Sequence, residues 1–107
     1  MRYVFLNGLP LNALPEKPIV LKVTPLTPEQ LKEMVPKMKQ IVSYVRHPAT
    51  VRLLNGLGLS LEASSGLYKY EKGDVIIVVS LRRPVRGAEI ENVTINDLLI
   101  HKVEVIE

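Results

Sequence analysis

The chain has no cysteine and no tryptophan, and only one phenylalanine and two histidines in 107 residues. Without cysteine there is no disulfide framework and no thiolate metal site. The histidines, His47 and His101, are far apart in sequence, and neither shows metal-ligand spacing with a carboxylate or a second histidine. One Phe and four Tyr are few for the interleaved aromatic platform on which single-stranded nucleic acid stacks its bases. No stretch approaches the roughly 18 apolar residues of a membrane span, and the apolar run in the opening MRYVFLNGLP is too short for a signal peptide. The expected setting is therefore the cytoplasm. A phosphate-binding glycine fingerprint is also missing, since GLG before Ser60 is too short and follows a helix instead of opening one. None of the serines stands out as a nucleophile.

What is present suffices for one compact domain. Hydrophobic residues make up 47% and charged residues 23%, which argues against disorder. A chain of this length buries roughly two thirds of its unfolded surface. The net charge of +3 favours anionic partners mildly. Abundant Val, Ile, Lys, Arg and Glu with eight prolines points to a thermophile.

Along the chain, Arg2–Leu6 reads as a short buried strand and Ile19–Val23 as a second, joined by a loop rich in Gly, Pro and Asn. Thr27, Pro28 and Gln30 start a helix with a capping box, which Pro36 breaks. Met38, Ile41 and Val42 fall on one face of a further helical piece over Lys37–Ser43. Pro48, then Val51, Leu54 and Leu57, predict a helix that stops at Gly58. LSLEA and LYKY read as strands either side of Ser64–Gly66. GDVIIVVSLRR is the strongest strand and its near-continuous apolar run suits the centre of a sheet. Arg83–Gly87 is a turn or loop. Thr94 and Asp97 open a short helix carrying His101 at its exposed end, and KVEVIE is a terminal strand. The order β-β-α-α-β-β-α-β implies a single α/β domain over residues 1–107: one mixed sheet of about five strands flanked by helices.

One constellation carries chemistry. His47 precedes a helix start, where free backbone N–H groups and the helix dipole favour an anion. A histidine there is either a plain cap or a proton donor to an oxygen leaving a phosphate. The arginines of SLRRPVRG leave the strongest strand and are either solvated or a clamp for the same phosphate.

HPATVRLLNGLG resembles the helix-start motif of the viral ring nucleases, the type III anti-CRISPR family. That motif runs His, two residues, Thr, two residues, Leu, one residue, Asn, one residue, Leu, and here it is filled by His47, Thr50, Leu53, Asn55 and Leu57. VFLNGLPLNAL is similar to the family's first strand and loop, with Asn7 and Leu14 in matching places, VVSLRRPVRG to the strand that leads to its arginine and glycine turn, and KVEVIE to its last strand. The resemblance implies a small α/β homodimer that binds cyclic tetra-adenylate across its two-fold axis and cleaves it without metal or cofactor to linear diadenylates with 2′,3′-cyclic phosphate ends. It implies His47 as the general acid, Asn7, Gly8, Thr50, Arg82 and Arg83 as substrate-binding residues with Arg82 or Arg83 clamping the phosphate, and an action in the host cytoplasm that disarms type III CRISPR immunity. This chain departs from the family at Pro10, in place of a serine, at Arg86, in place of a glutamate, and near Gly66 or Leu67, where the family uses a basic residue. Two alternatives stand beside the nuclease: a sponge that holds the ring without cutting it, and a small basic nucleic-acid-binding regulator. Sparse aromatics and modest charge count against the second, so neither long nucleic acid nor membrane is an expected partner.

Overall fold

The computed structural model describes residues 1–82 and 93–106. Five strands, β1 (Arg2–Leu6), β2 (Val20–Leu26), β3 (Gln40–Tyr44), β4 (Val75–Leu81) and β5 (Leu98–Ile106), form one mixed sheet in the order β2-β5-β4-β1-β3. β1 lies between β3 and β4 and is parallel to both, while β5 is antiparallel to β4 and β2. The central place of β4 follows from its apolar run: both of its faces are covered, and Val75, Ile76, Ile77 and Val79 are buried. Among the described residues there are two α-helices, α1 (Pro28–Met34) and α2 (Pro48–Asn55).

The strand pleat divides the core in two. Phe5, Ile77, Val79 and Ile100 face α1 and α2, against Leu31, Val51 and Leu54. Val4, Leu6, Ile76 and Val103 face the other way, against Ala13 and Tyr68. The capping box of α1 is as read: the Gln30 amide donates to Thr27 Oγ1 at 3.1 Å, and Gln30 Oε1 accepts from the Thr27 amide at 2.8 Å. Pro36 then confines the chain to a single 3-10 turn, Val35–Lys37.

Several expectations are corrected. Over Lys37–Ser43 only Lys37, which ends the 3-10 turn, is helical; Met38 plugs the core, and the chain then enters edge strand β3, where Ile41 is exposed. LSLEA and LYKY form no strands. Leu59 and Leu61 are buried alternately, which mimics a strand, yet Leu61 is held by a side chain: its N–H donates to Asn55 Oδ1 at 2.7 Å and its carbonyl accepts from Asn55 Nδ2 at 3.0 Å. The Thr94–Asp97 box is real but serves one 3-10 turn, Ile95–Asp97. Leu98–Lys102 belongs to β5, so His101 is a half-buried strand residue opposite Val78 and Pro25, not a helix end. β2 extends to Leu26 through Pro25, which an edge strand tolerates. The turn expected at Arg83–Gly87 lies outside the described residues.

Two side-chain devices fasten the irregular segment 56–74. Asn55 is one. Asn55→Ala strips Leu61 of both partners and is expected to lower stability by about 1–3 kcal/mol, measured by chemical denaturation. The other lies at the amino ends of β1 and β4. Arg2 donates to both carboxylate oxygens of Asp74, Nε to Oδ1 at 2.9 Å and Nη2 to Oδ2 at 2.8 Å. Tyr68 Oη adds 2.6 Å to Oδ2, and the Arg2 guanidinium also meets Glu71 at 3.0 Å.

Candidate functional site

Parallel strands β3, β1 and β4 end at the same edge of the sheet, with Leu6 level with Tyr44 on one side and Val78 on the other. In open α/β sheets, the crevice beyond the carboxyl ends of the strands is the usual ligand position. Neighbouring strands stand about 4.8 Å apart, so β3 and β4 are roughly 10 Å apart with the loop from β1 between them. Asn7 and Gly8 follow β1, Arg46 and His47 follow β3, and Arg82 follows β4. Residues from three separate strands thus leave the sheet at one edge, although Arg82 stands beyond the others because β4 runs on to Leu81.

His47 is the N-cap of α2, with an extended backbone, and Pro48 takes the first helical position. Its side chain does not cap the helix amides. Instead Nδ1 lies 2.9 Å from the hydroxyl of Thr50, one turn on, and Thr50 is 2% exposed. Nε2 of the half-buried ring has no hydrogen-bond partner among the described residues. Pro48 offers no N–H, and among the described residues no side chain caps the amides of Ala49 and Thr50. The positive end of a short helix, its first amides on buried Ala49 and Thr50, thus stands beside an imidazole whose outer nitrogen has no partner among the described residues.

Other expected residues fall into distinct environments. Asn7 accepts a hydrogen bond at Oδ1 from the Arg46 amide, tying the end of β1 to the approach to His47. Gly8 is exposed, and a Cβ there would touch nothing within 4 Å. Arg82 is exposed but partly engaged, its Nε donating to the Asn96 carbonyl at 3.1 Å and its amide to that of Asp97 at 2.8 Å. Arg83 lies outside the described residues, as do Arg86 and Gly87. Of the motif's remaining positions, Leu53 and Leu57 pack on the core and Asn55 grips Leu61, so much of the motif builds the helix and its exit.

A cleft of about 490 Å³ opens at this edge on the sheet face away from the helices, lined among others by Asn7, Gly8, Pro10, Tyr44, Arg46 and Lys69. Gly66 and Leu67 also line it, so the chain's departures at Pro10 and near Gly66 fall into one place. Tyr44 packs on Tyr68 at 5.5 Å between ring centres. Its walls are clasped together, Lys69 Nζ to the Asn12 carbonyl at 2.8 Å and the Tyr70 amide to that of Ala13 at 2.9 Å. Sequence reasoning missed Arg46, Tyr44 and Lys69. Arg46 was the accessible one, as the cation next to His47; the others needed the fold. A larger hollow of about 930 Å³ beside edge strand β3 holds none of the expected site residues. Among the described residues no three His, Asp or Glu gather as a metal site, and no helix is long and apolar enough to cross a membrane.

The fold and this edge define a small, single-domain α/β protein of the open-sheet kind, with its candidate site beyond the ends of three parallel strands. The chain belongs to the STIV B116-like family, whose model matches residues 3–105. Among solved structures it is similar to B116 of Sulfolobus turreted icosahedral virus, with a TM-score of 0.73 over 96% of this chain and 98% of that one. Identity to B116 is 16%, so that likeness concerns the fold alone. No curated protein matches the sequence.

Proposed function

We propose that the protein is a metal-independent ring nuclease that binds cyclic tetra-adenylate as a homodimer and cleaves it, disarming type III CRISPR immunity. The observation that carries this reading is the state of His47: one ring nitrogen is held by a buried hydroxyl, and the other has no partner among the described residues, beside the start of a helix. Membership in a family named for a viral protein supports the setting, and the His47-to-Leu57 motif supports the chemistry.

In the proposed step a ribose 2′-hydroxyl attacks the adjacent phosphorus. Its proton passes to solvent, the P–O5′ bond breaks, and His47 Nε2 delivers a proton to the departing 5′-oxygen. The products are a 2′,3′-cyclic phosphate and a free 5′-hydroxyl. Two symmetry-related histidines cut a four-membered ring twice, leaving two diadenylates. The positive end of the α2 dipole, with Arg46 and Lys69 at the cleft, supplies positive potential for the phosphates before reaction.

The test is incubation with cyclic tetra-adenylate in excess chelator, with products separated and the protein's mass followed by light scattering. Linear diadenylate from a dimer is the expected result. Binding without products would leave the sponge, a reading that the cleft of about 490 Å³ favours because it provides a hold apart from His47. Arg83→Ala or Arg82→Ala is expected to weaken binding or cleavage by about 1–3 kcal/mol, the range for a charge-assisted contact, and Arg86→Ala less. Titration of each variant with the ring checks this; damage from Arg86→Ala alone would move the clamp to that residue.

A further inference from the structure

We infer that Asn7 and Thr50 are positioning residues for His47, Asn7 setting its backbone and Thr50 its ring, and are not chiefly contacts for the ligand. The resemblance implies substrate binding for both. Their surroundings point to another task.

The tripeptide Val45–Arg46–His47 links β3 to α2 with no ladder of its own beyond Tyr44. It is nevertheless held at five points. The Val45 amide donates to Ser43 Oγ at 3.3 Å, and the Val45 carbonyl accepts from the Ser64 amide at 2.8 Å. The Arg46 amide donates to Asn7 Oδ1. The His47 carbonyl accepts from the Val51 amide at 3.1 Å, and the ring meets Thr50 at 2.9 Å. Of these ties, Asn7 is the one that comes from the central parallel strand, the most firmly embedded element of this edge. Its side chain does for Arg46 what a continued β1–β3 ladder would do, after the two chains have diverged towards loop and helix.

Thr50 is more clearly excluded from ligand contact. At 2% exposure its hydroxyl has little surface to offer a ring of nucleotides. Its position three residues after the N-cap lets it reach back to the cap side chain, where a capping box would place a glutamate. Here that geometry is used on an imidazole. Holding Nδ1 fixes the ring plane, and so fixes where Nε2 points, as the orienting partner of a proton-transferring histidine does elsewhere. Misplacement of a reacting group by about 1 Å costs up to roughly 10²-fold in rate.

The kinetic part of this inference rests on the proposed cleavage; the structural part does not. Four variants separate them. Thr50→Val keeps the shape and removes the hydroxyl, whereas Thr50→Ser keeps it. Asn7→Ala removes the acceptor, whereas Asn7→Asp keeps it. In ligand-free protein, nitrogen NMR of the His47 ring is expected to show the Nδ1 resonance of a hydrogen-bonded nitrogen, its loss in Thr50→Val, and its return in Thr50→Ser. The Arg46 amide is expected to exchange faster with solvent in Asn7→Ala and to stay protected in Asn7→Asp. With cyclic tetra-adenylate, Thr50→Val and Asn7→Ala are expected to lose about tenfold or more in kcat, with KM nearly unchanged. Thr50→Ser and Asn7→Asp keep kcat, though the added charge of Asn7→Asp weakens ring binding. A wild-type Nδ1 resonance in Thr50→Val together with unchanged Arg46 exchange in Asn7→Ala overturns the inference. So does a rise in KM at constant kcat in both. If the wild-type protein cleaves nothing, the nuclease reading falls, and the NMR measurements still decide the positioning.

Discussion

His47→Ala is expected to slow cleavage of cyclic tetra-adenylate by about 10²–10⁴-fold, the usual worth of a general acid, while leaving affinity for the ring largely intact. The division of labour is physical. In the proposed mechanism the helix dipole and cleft cations act on charge that exists before reaction, so they serve binding. A proton for the 5′-oxygen is needed only as that oxygen departs, so it serves the transition state alone. The substitution suits the question because the His47 side chain makes no capping bond to the helix. What the fold loses is one partner of the Thr50 hydroxyl, about 1 kcal/mol, which thermal unfolding will register separately from activity. Single-turnover rates beside equilibrium binding are the measurement. A variant that cuts as fast as wild type would return His47 to the status of a helix cap.

Asp74→Ala is expected to cost about 2–4 kcal/mol of folding stability, because it takes the bidentate partner from a half-buried guanidinium, which keeps only Glu71, and the acceptor from a buried phenol at once. The Asp74 side chain is 2% exposed and that of Arg2 17%. Burial pushes the Asp74 carboxyl up, but the hydrogen bonds from Arg2 and Tyr68 outweigh it, and the group ionises below its ordinary range. Burial, then the hydrogen bond to Asp74, raises the Tyr68 phenol well above its ordinary value. A carboxyl depressed in the folded state contributes stability above its unfolded pKa, near 4, and loses it as pH falls through the folded value. A phenol raised in the folded state contributes fully below its unfolded pKa, near 10, and loses it as pH climbs towards the folded value. Denaturant midpoints are therefore expected to be flat between those limits in wild type and to fall on both sides. In Asp74→Ala the acid decline should shrink along with the plateau. An unchanged acid limb would mean that another carboxylate governs it.

The elements with strong local signals were legible: β1 from its short apolar run, α1 from its capping box, α2 from Pro48 and the spacing of Val51 and Leu54, and β4 from its unbroken hydrophobicity. β3 was not, because an edge strand pairs on one side only and leaves residues such as Ile41 exposed, which blurs the period of two. β5 was half hidden, since Thr94 and Asp97 carry a true helix-start signature that ends after one turn. Leu59 and Leu61 alternate as a strand does, but nothing local reveals that Asn55 takes the place of a neighbouring strand. At the site, His47 was legible because proline fixes the helix start beside it. The roles of Asn7 and Arg46 were not, since their contact spans 39 residues. Arg2 and Asp74, 72 residues apart, form a bidentate pair that no spacing rule anticipates.

The placement of β1 in the sheet also bears on how the molecule is made. At the ribosome β1 is synthesised about 70 residues ahead of β4, and at roughly 5–20 residues per second that is an interval of several seconds. Throughout it, Val4, Phe5 and Leu6, destined to be almost wholly buried, can find only β3 among their neighbours in the finished sheet. A nascent chain arrested before Val75 holds an apolar strand with one bare edge, the kind of surface that chaperones bind and that pairs with other chains. Completion of β4 closes that edge, and Asp74, immediately before β4, meets Arg2 at the start of β1 as the two strands come together. The late half of the gene thus supplies the partner that makes the early half safe, and production of this protein in a foreign host should respond strongly to elongation rate and temperature.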